Sequence, residues 1–129
     1  MKMLLIIMLS ILVNTCTNEA EDNTAPLMEA NAIIFNNNLP VDGCAEHISL
    51  IDAKGDRIKD VLPTEASSAM FKSLLNAEIA KLPENTYTGN LSFPVILKYK
   101  TTQEKGELIC GWGSKSTVEK IEIVNITKK

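Results

Sequence analysis

The stretch CAEHISLIDAKGDRIKDVLP, residues 44–63, decides the fold because it predicts a β-hairpin. Two strand-like runs, residues 44–51 and 56–62, flank the short segment DAKG. That segment fits a type I turn followed by Gly55 in the left-handed conformation, a common hairpin closure. The sequence therefore predicts two adjacent antiparallel strands here.

An amphipathic helix is predicted directly after this hairpin, near residues 65–81. Thr64 is suited to cap the helix, Glu65 suits its positive amino-terminal end, and Pro83 stops the segment. Five apolar residues recur on one side at helical spacing: Phe71, Leu74, Leu75, Ile79 and Leu82. One apolar stripe predicts one buried helix face.

Three strands are predicted after the helix and a loop, PENTYTGN, at residues 83–90. LSFPVILKYK alternates and places four residues on one face: Phe93, Val95, Leu97 and Tyr99. Pro94 predicts an edge strand or a bulge because it cannot donate to a ladder. TTQEKG, residues 101–106, predicts a turn into ELICGWG. The final strand is STVEKIEIVNI, in which Val118 and either Ile121 with Ile123 or Val124 with Ile126 compete to point inward.

The order of elements predicts an α+β fold. NAIIFNNN, residues 31–38, adds a short first edge strand, so the order is (β)ββ, α, βββ. This order is typical of an antiparallel sheet or partly closed β-barrel with one amphipathic helix across its open side. An OB-like barrel and a cystatin-like wrap are the two specific alternatives.

The amino-terminal residues predict an export signal over residues 1–15. Lys2 supplies a positive charge, and residues 4–13, LLIIMLSILV, are apolar except for Ser10. Spanning a bilayer takes about 20 apolar residues, so this run is too short for a transmembrane helix. Its length fits the apolar region of a signal peptide.

The segment VNTC, residues 13–16, resembles the lipobox of bacterial lipoproteins. The resemblance implies cleavage before Cys16 and attachment of fatty acyl chains, palmitate among them, to that cysteine. Residues 16–30 then predict an acidic, flexible tether, and residues 31–129 a single small domain. We expect a lipid-anchored envelope protein, on the outer membrane or cell surface rather than soluble and secreted. The alternative is an ordinary secretory peptide in which Cys16 is incidental.

Export changes the interpretation of Cys44 and Cys110. Two remaining cysteines in a small exported domain usually pair, so the sequence predicts a disulfide with Cα atoms about 5.5 Å apart. Two buried free thiols are the alternative.

Composition and motifs weigh against several chemistries. A formal net charge of -3 with scattered lysines predicts no nucleic-acid partner. GWGSKST lacks the order of a phosphate-binding loop and predicts a hairpin turn instead. DGCAEH brings together metal-ligand residue types, Asp42, Cys44, Glu46 and His47. A strand sends adjacent side chains to opposite faces, however, and no second histidine exists. We therefore predict no metal site, no cofactor and no catalytic residue.

Three aromatic residues, Trp112, Tyr87 and Tyr99, are candidates for a binding rim. Packing of Trp112 in the core or against the disulfide is the alternative. The sequence thus favours a non-enzymatic module that binds a protein, a peptide or a glycan. An exported carboxylate-based hydrolase is the second hypothesis. An inhibitor of a secreted hydrolase, presenting loop 83–90 to its target, is the third.

Overall fold

The computed structural model describes residues 25–38 and 43–129. The predicted signal peptide, Cys16 and most of the tether lie outside these residues. The elements, in chain order, are β1 Met28–Phe35, β2 His47–Ile51, β3 Arg57–Pro63, α1 Glu65–Ile79, β4 Ser92–Ile109 and β5 Lys115–Lys128. A short 3₁₀ turn, Gly111–Gly113, joins the last two strands. Among the described residues, no helix has the length and apolar character needed to cross a membrane.

The five strands form a closed barrel in the order β1-β2-β3-β5-β4. Neighbouring strands are antiparallel except β3 and β5, which run parallel where residues 61–63 pair with residues 119–121. The β4–β5 ribbon extends beyond the closed part of the sheet, because residues 101–109 of β4 pair with β5 alone. The prediction of a barrel with one helix is confirmed at this level.

The hairpin of β2 and β3 forms as the turn chemistry predicts. Ile48 pairs with Val61, and Gly55 adopts a φ of 92° in the left-handed region. The Asp52 carboxylate accepts hydrogen bonds from the backbone N–H groups of Lys54 and Asp56 at 2.8 and 2.9 Å. These side-chain hydrogen bonds stabilise the conformation of the turn.

The first strand differs from its prediction in length and in position. β1 begins at Met28, so the last three residues assigned to the tether belong to the barrel, where they pair with residues 97–99 of β4. β1 also pairs with β2 along its other side, from Asn31 to Phe35. It is therefore an interior strand of a closed sheet rather than an edge.

The predicted turn at residues 101–106 is wrong, because β4 continues through it as one strand of 18 residues. The register with β5 shifts between Thr101 and Lys105, so a bulge absorbs the polar segment. Two predicted strands thus become one.

Pro94 lies in this strand without occupying an edge. Its missing N–H costs little because the β4–β5 ladder begins one residue later, at Val95.

The core follows the alternation that the sequence predicts. The inward residues of β4 are Phe93, Val95, Leu97 and Tyr99, all buried. In β5, Ile121 and Ile123 point inward, whereas Val124 is 43% exposed. The helix contributes the buried side chains of Phe71 and Leu75.

Helix α1 is docked by a polar contact that the sequence does not reveal. Thr64 is at the N-cap, as predicted, but its side chain makes no capping bond and donates to Ser67 Oγ at 3.1 Å. Ser67 Oγ in turn accepts the backbone N–H of Ile123 at 2.7 Å. The helix ends at Ile79, two residues before its predicted end.

The carboxyl-terminal end of α1 is held by Glu78. Its two carboxylate oxygens accept hydrogen bonds from Lys128 and Lys81, each at 2.5 Å. Hydrogen bonds from Lys128 and then Lys81 hold the pKa of Glu78 below its usual range. Lys128 also lies 5.8 Å from the ring centre of Phe93, which ties β5 to β4.

Candidate functional site

The predicted disulfide between Cys44 and Cys110 is present. The two cysteines form an isolated antiparallel bridge, flanked by a bond from Ala45 N to the Ile109 carbonyl at 2.8 Å and one from Gly111 N to the Gly43 carbonyl at 2.6 Å. Their Cα atoms are 3.8 Å apart, closer than predicted, because they face each other as a pair without hydrogen bonds between them.

This disulfide joins the β1–β2 loop to the β4–β5 turn and so defines a cystine-linked tip, residues 43–44 and 110–114. At its end, Trp112 is 98% exposed and has a φ of 64°, a conformation unusual for a residue with a side chain. Gly113 follows with a φ of 74°. Cys110 N donates to the Ser114 carbonyl at 2.8 Å and closes the turn. The hairpin turn predicted from GWGSKST is confirmed.

The exposure of Trp112 excludes the alternative in which its indole packs in the core. Most tryptophans in small domains are largely buried, so a solvent-facing one in a constrained turn requires an explanation. The signal in the sequence was the pair of flanking glycines, which permit a tight turn but not a well-packed strand.

The other two predicted rim residues lie elsewhere. Tyr87 is 58% exposed on the loop between α1 and β4, where the Thr86 hydroxyl donates to the Pro83 carbonyl at 2.6 Å. Tyr99 is only 5% exposed, so its assignment to a rim is wrong. It alternates inward with Val95 and Leu97, and the barrel interior takes its ring.

Glu46 and His47 face different surroundings, although only His47 belongs to β2 and Glu46 lies in the bend before it. The His47 ring stacks on Phe35 with centres 4.8 Å apart, and its Nδ1 donates to the Ala45 carbonyl at 2.7 Å. Glu46 instead lines a cavity near the helix. Asp42 lies outside the described residues. Within residues 25–38 and 43–129, no three histidine, cysteine or acidic side chains are grouped as metal ligands would be.

The second feature is this cavity of about 350 Å³, which we call the ribbon cavity. It lies between α1, the end of β3 and the outer part of the β4–β5 ribbon. Its lining residues are Glu46, Leu62, Pro63, Ser68, Phe71, Lys72, Gly106, Glu107 and Lys120. The sequence did not predict it, because the turn predicted at 101–106 concealed the continuous ribbon that forms one wall.

Gly106 permits close packing in that wall. A Cβ at this position would lie 3.0 Å from both Leu62 Cδ1 and Lys120 Cε. Only a residue without a side chain lets these two neighbours rest against the ribbon backbone without displacement.

The perturbed carboxylates do not behave as catalytic acids. The pKa of Glu119 is lowered, first by a hydrogen bond from Lys59 and then by the charges of Lys59 and Lys105. The pKa of Glu78 is lowered as well. A general acid in a hydrolase needs the opposite shift, so that it still carries a proton near neutral pH.

Comparison with known protein families, curated proteins and solved structures finds no match to this chain.

Proposed function

We propose that this chain is a lipid-anchored, non-enzymatic envelope protein whose small barrel, of the OB type, binds glycans through the cystine-linked tip. The observation that carries the proposal is the 98% exposure of Trp112 on a turn pinned by a disulfide. Because the disulfide constrains the backbone of this turn, the turn loses little conformational freedom when the indole ring stacks on a ligand.

The connectivity of the barrel supports the OB assignment. An OB barrel is a five-stranded Greek-key barrel that binds ligands on the face of its second and third strands and on the loops β1–β2 and β4–β5. Here the strand order is β1-β2-β3-β5-β4, and the helix lies between β3 and β4. The Cys44–Cys110 disulfide joins the same two loops that carry ligands in such barrels.

The charge of the chain favours one ligand class among those that OB barrels bind. Oligonucleotides and oligosaccharides are both known ligands of this architecture. A polyanion requires a basic surface, whereas this chain has a formal net charge of -3. The indole of Trp112 offers an apolar face and an N–H donor, which together match the C–H faces and hydroxyl groups of a sugar.

The topology supports presentation of the tip away from an anchor at Cys16. The chain enters the barrel at Met28, the first residue of β1. The tip is joined to the loop that follows the last residue of β1, Phe35. A strand of eight residues rises roughly 3.3 Å per residue, which separates its two ends by about 23 Å.

Tryptophan fluorescence tests the glycan proposal directly, because Trp112 is the only tryptophan in the sequence. The full chain is titrated with hexamers of cellulose, chitin and laminarin and with soluble peptidoglycan fragments. We expect a saturable change in emission with at least one of them. Calorimetry with Trp112→Ala should then show at least about a tenfold loss of affinity.

Met70→Ala is the matched control, because Met70 is a 43% exposed apolar residue on α1, remote in sequence from the tip. It should leave glycan affinity unchanged. The proposal fails if none of these glycans changes the emission, or if Trp112→Ala binds them as tightly as the parent chain.

Intact mass spectrometry of the chain extracted from membranes under non-reducing conditions tests the anchor. The expected mass corresponds to a polypeptide that begins at Cys16, carries acyl chains and lacks two hydrogens through the disulfide. A soluble, unacylated product would refute the anchor.

A further inference from the structure

The ribbon cavity contains groups that the tip does not use. Its floor is apolar, formed by Phe71 together with Leu62 and Pro63 at the end of β3. Its volume of about 350 Å³ lies at the lower end of the range for ligand pockets, about 300–1,000 Å³. A space of this size suits a small molecule rather than a polymer.

Three charged side chains at the cavity, Glu46, Lys72 and Lys120, form no ion pair with any residue in the described part of the chain. They come from the β1–β2 loop, α1 and β5, respectively. Glu107, the fourth charged group, is 3.5 Å from Lys115 and is engaged there. The unpaired charge therefore consists of two cations and one carboxylate around an apolar floor.

We propose that the ribbon cavity binds a small zwitterion, an α-amino acid with an apolar side chain. Lys72 and Lys120 hold its carboxylate, Glu46 faces its ammonium group, and its side chain packs on Phe71. This site is separate from the glycan contact at the tip and does not depend on it.

The charge pattern selects a zwitterion over simpler ligands. A ligand with only a carboxylate would bring a negative charge close to the negative Glu46. A ligand with only an amine would bring a positive charge close to the two lysines. A neutral apolar molecule would displace water from three charged side chains without forming hydrogen bonds or ion pairs with them. A ligand with both charges next to an apolar group satisfies all three side chains.

Gly106 supports the placement of Lys120. Because no Cβ is present there, the lysine stem lies against the ribbon next to Leu62, along the cavity wall. The aliphatic part of Lys120 thus extends the apolar lining, while its ammonium group supplies the charge.

Three ligands that share one apolar body test the proposal: L-phenylalanine, hydrocinnamate, which lacks the amine, and phenethylamine, which lacks the carboxylate. Saturation-transfer NMR with the full chain gives a dissociation constant for each. We expect phenylalanine to bind at least about tenfold more tightly than either analogue, the value of one charge-assisted contact.

Charge-neutralising variants then assign each contact. Lys120→Gln should weaken phenylalanine and hydrocinnamate but not phenethylamine, whereas Glu46→Gln should weaken phenylalanine and phenethylamine but not hydrocinnamate. Lys54→Gln, in the exposed turn between β2 and β3, is the matched control and should change none of them.

The proposal is overturned if phenylalanine shows no saturable binding, if its binding matches that of either analogue, or if Lys120→Gln and Glu46→Gln fail to give this crossed pattern. Loss of glycan binding at the tip would leave all three results unchanged, so the two proposals fail independently.

Discussion

Replacing both cysteines of the disulfide, Cys44→Ser with Cys110→Ser, should lower the free energy of unfolding by about 4 kcal/mol. The crosslink closes a loop between positions 66 residues apart. Closing a loop of that length removes roughly 15 cal/mol/K of entropy from the unfolded chain, which gives the stated free energy at 25 °C. Small domains have a total stability of about 5–15 kcal/mol, so the loss is a large share of it.

The folded state should survive the change. The backbone bonds on either side of the cystine, Ala45 to Ile109 and Gly111 to Gly43, do not depend on the sulfur atoms. The β4–β5 ladder and the closed barrel also remain. The lost stability therefore comes mainly from the greater conformational entropy of the unfolded chain, and the variant should be folded but weakly stable.

Urea unfolding followed by far-ultraviolet circular dichroism measures the effect. Trp112 is already exposed in the folded protein, so its fluorescence reports unfolding poorly. We expect the urea midpoint to fall by about 2 M. The parent chain under reducing conditions should match the double variant, and reductant should not affect the variant further. A loss below about 1 kcal/mol would refute the loop-closure reasoning.

Three further predictions concern single residues. Ser67→Ala leaves the buried backbone N–H of β5 without its acceptor and should cost about 2 kcal/mol in urea unfolding, whereas Ser73→Ala, exposed on the same helix, should stay within about 0.5 kcal/mol of the parent. The pKa of Glu78 is lowered in the folded state, so its ionised form stabilises the fold above the usual glutamate pKa, and this stabilisation is lost as the pH falls through the folded-state pKa. Glu78→Gln should abolish that part of the dependence of unfolding free energy on acid pH. An unchanged acid profile would contradict the contacts of Glu78 with the two lysines. Gly106→Ala should shift Lys120 and weaken hydrocinnamate binding measured by saturation-transfer NMR with less than about 1 kcal/mol of destabilisation; unchanged binding would count against the wall described for the ribbon cavity.

Local rules explain the parts of the fold that were predicted correctly. The turn DAKG carries its own geometry in Asp52 and Gly55, and the alternation from Phe93 to Tyr99 needs only one buried face. The helix is fixed by its apolar spacing. Each of these signals lies within about twenty residues, and sequence periodicity reports such signals well.

Closure of the barrel depends on contacts that no local pattern carries. The parallel pairing of β3 with β5 joins Val61 to Glu119, far apart in sequence, through three residue pairs. The polar run at residues 101–106 has the composition of a turn, yet it lies in an extended ribbon in which most side chains face solvent. A strand with both faces exposed to solvent carries no alternation of apolar and polar residues. Without that signal, the polar composition of the segment favoured a turn.

The same nonlocal closure determines the candidate sites. Two lining residues of the ribbon cavity, Glu46 and Glu107, are two and three positions from the linked cysteines. The backbone bond from Ala45 to Ile109 crosses between these segments. The paired segments around the cystine therefore carry the tip at one end and contribute Glu46 and Glu107 to the cavity lining. The sequence identified Trp112 and the disulfide of the tip but not the cavity, since the cavity depends on α1, β3 and the β4–β5 ribbon meeting rather than on any spacing within one segment.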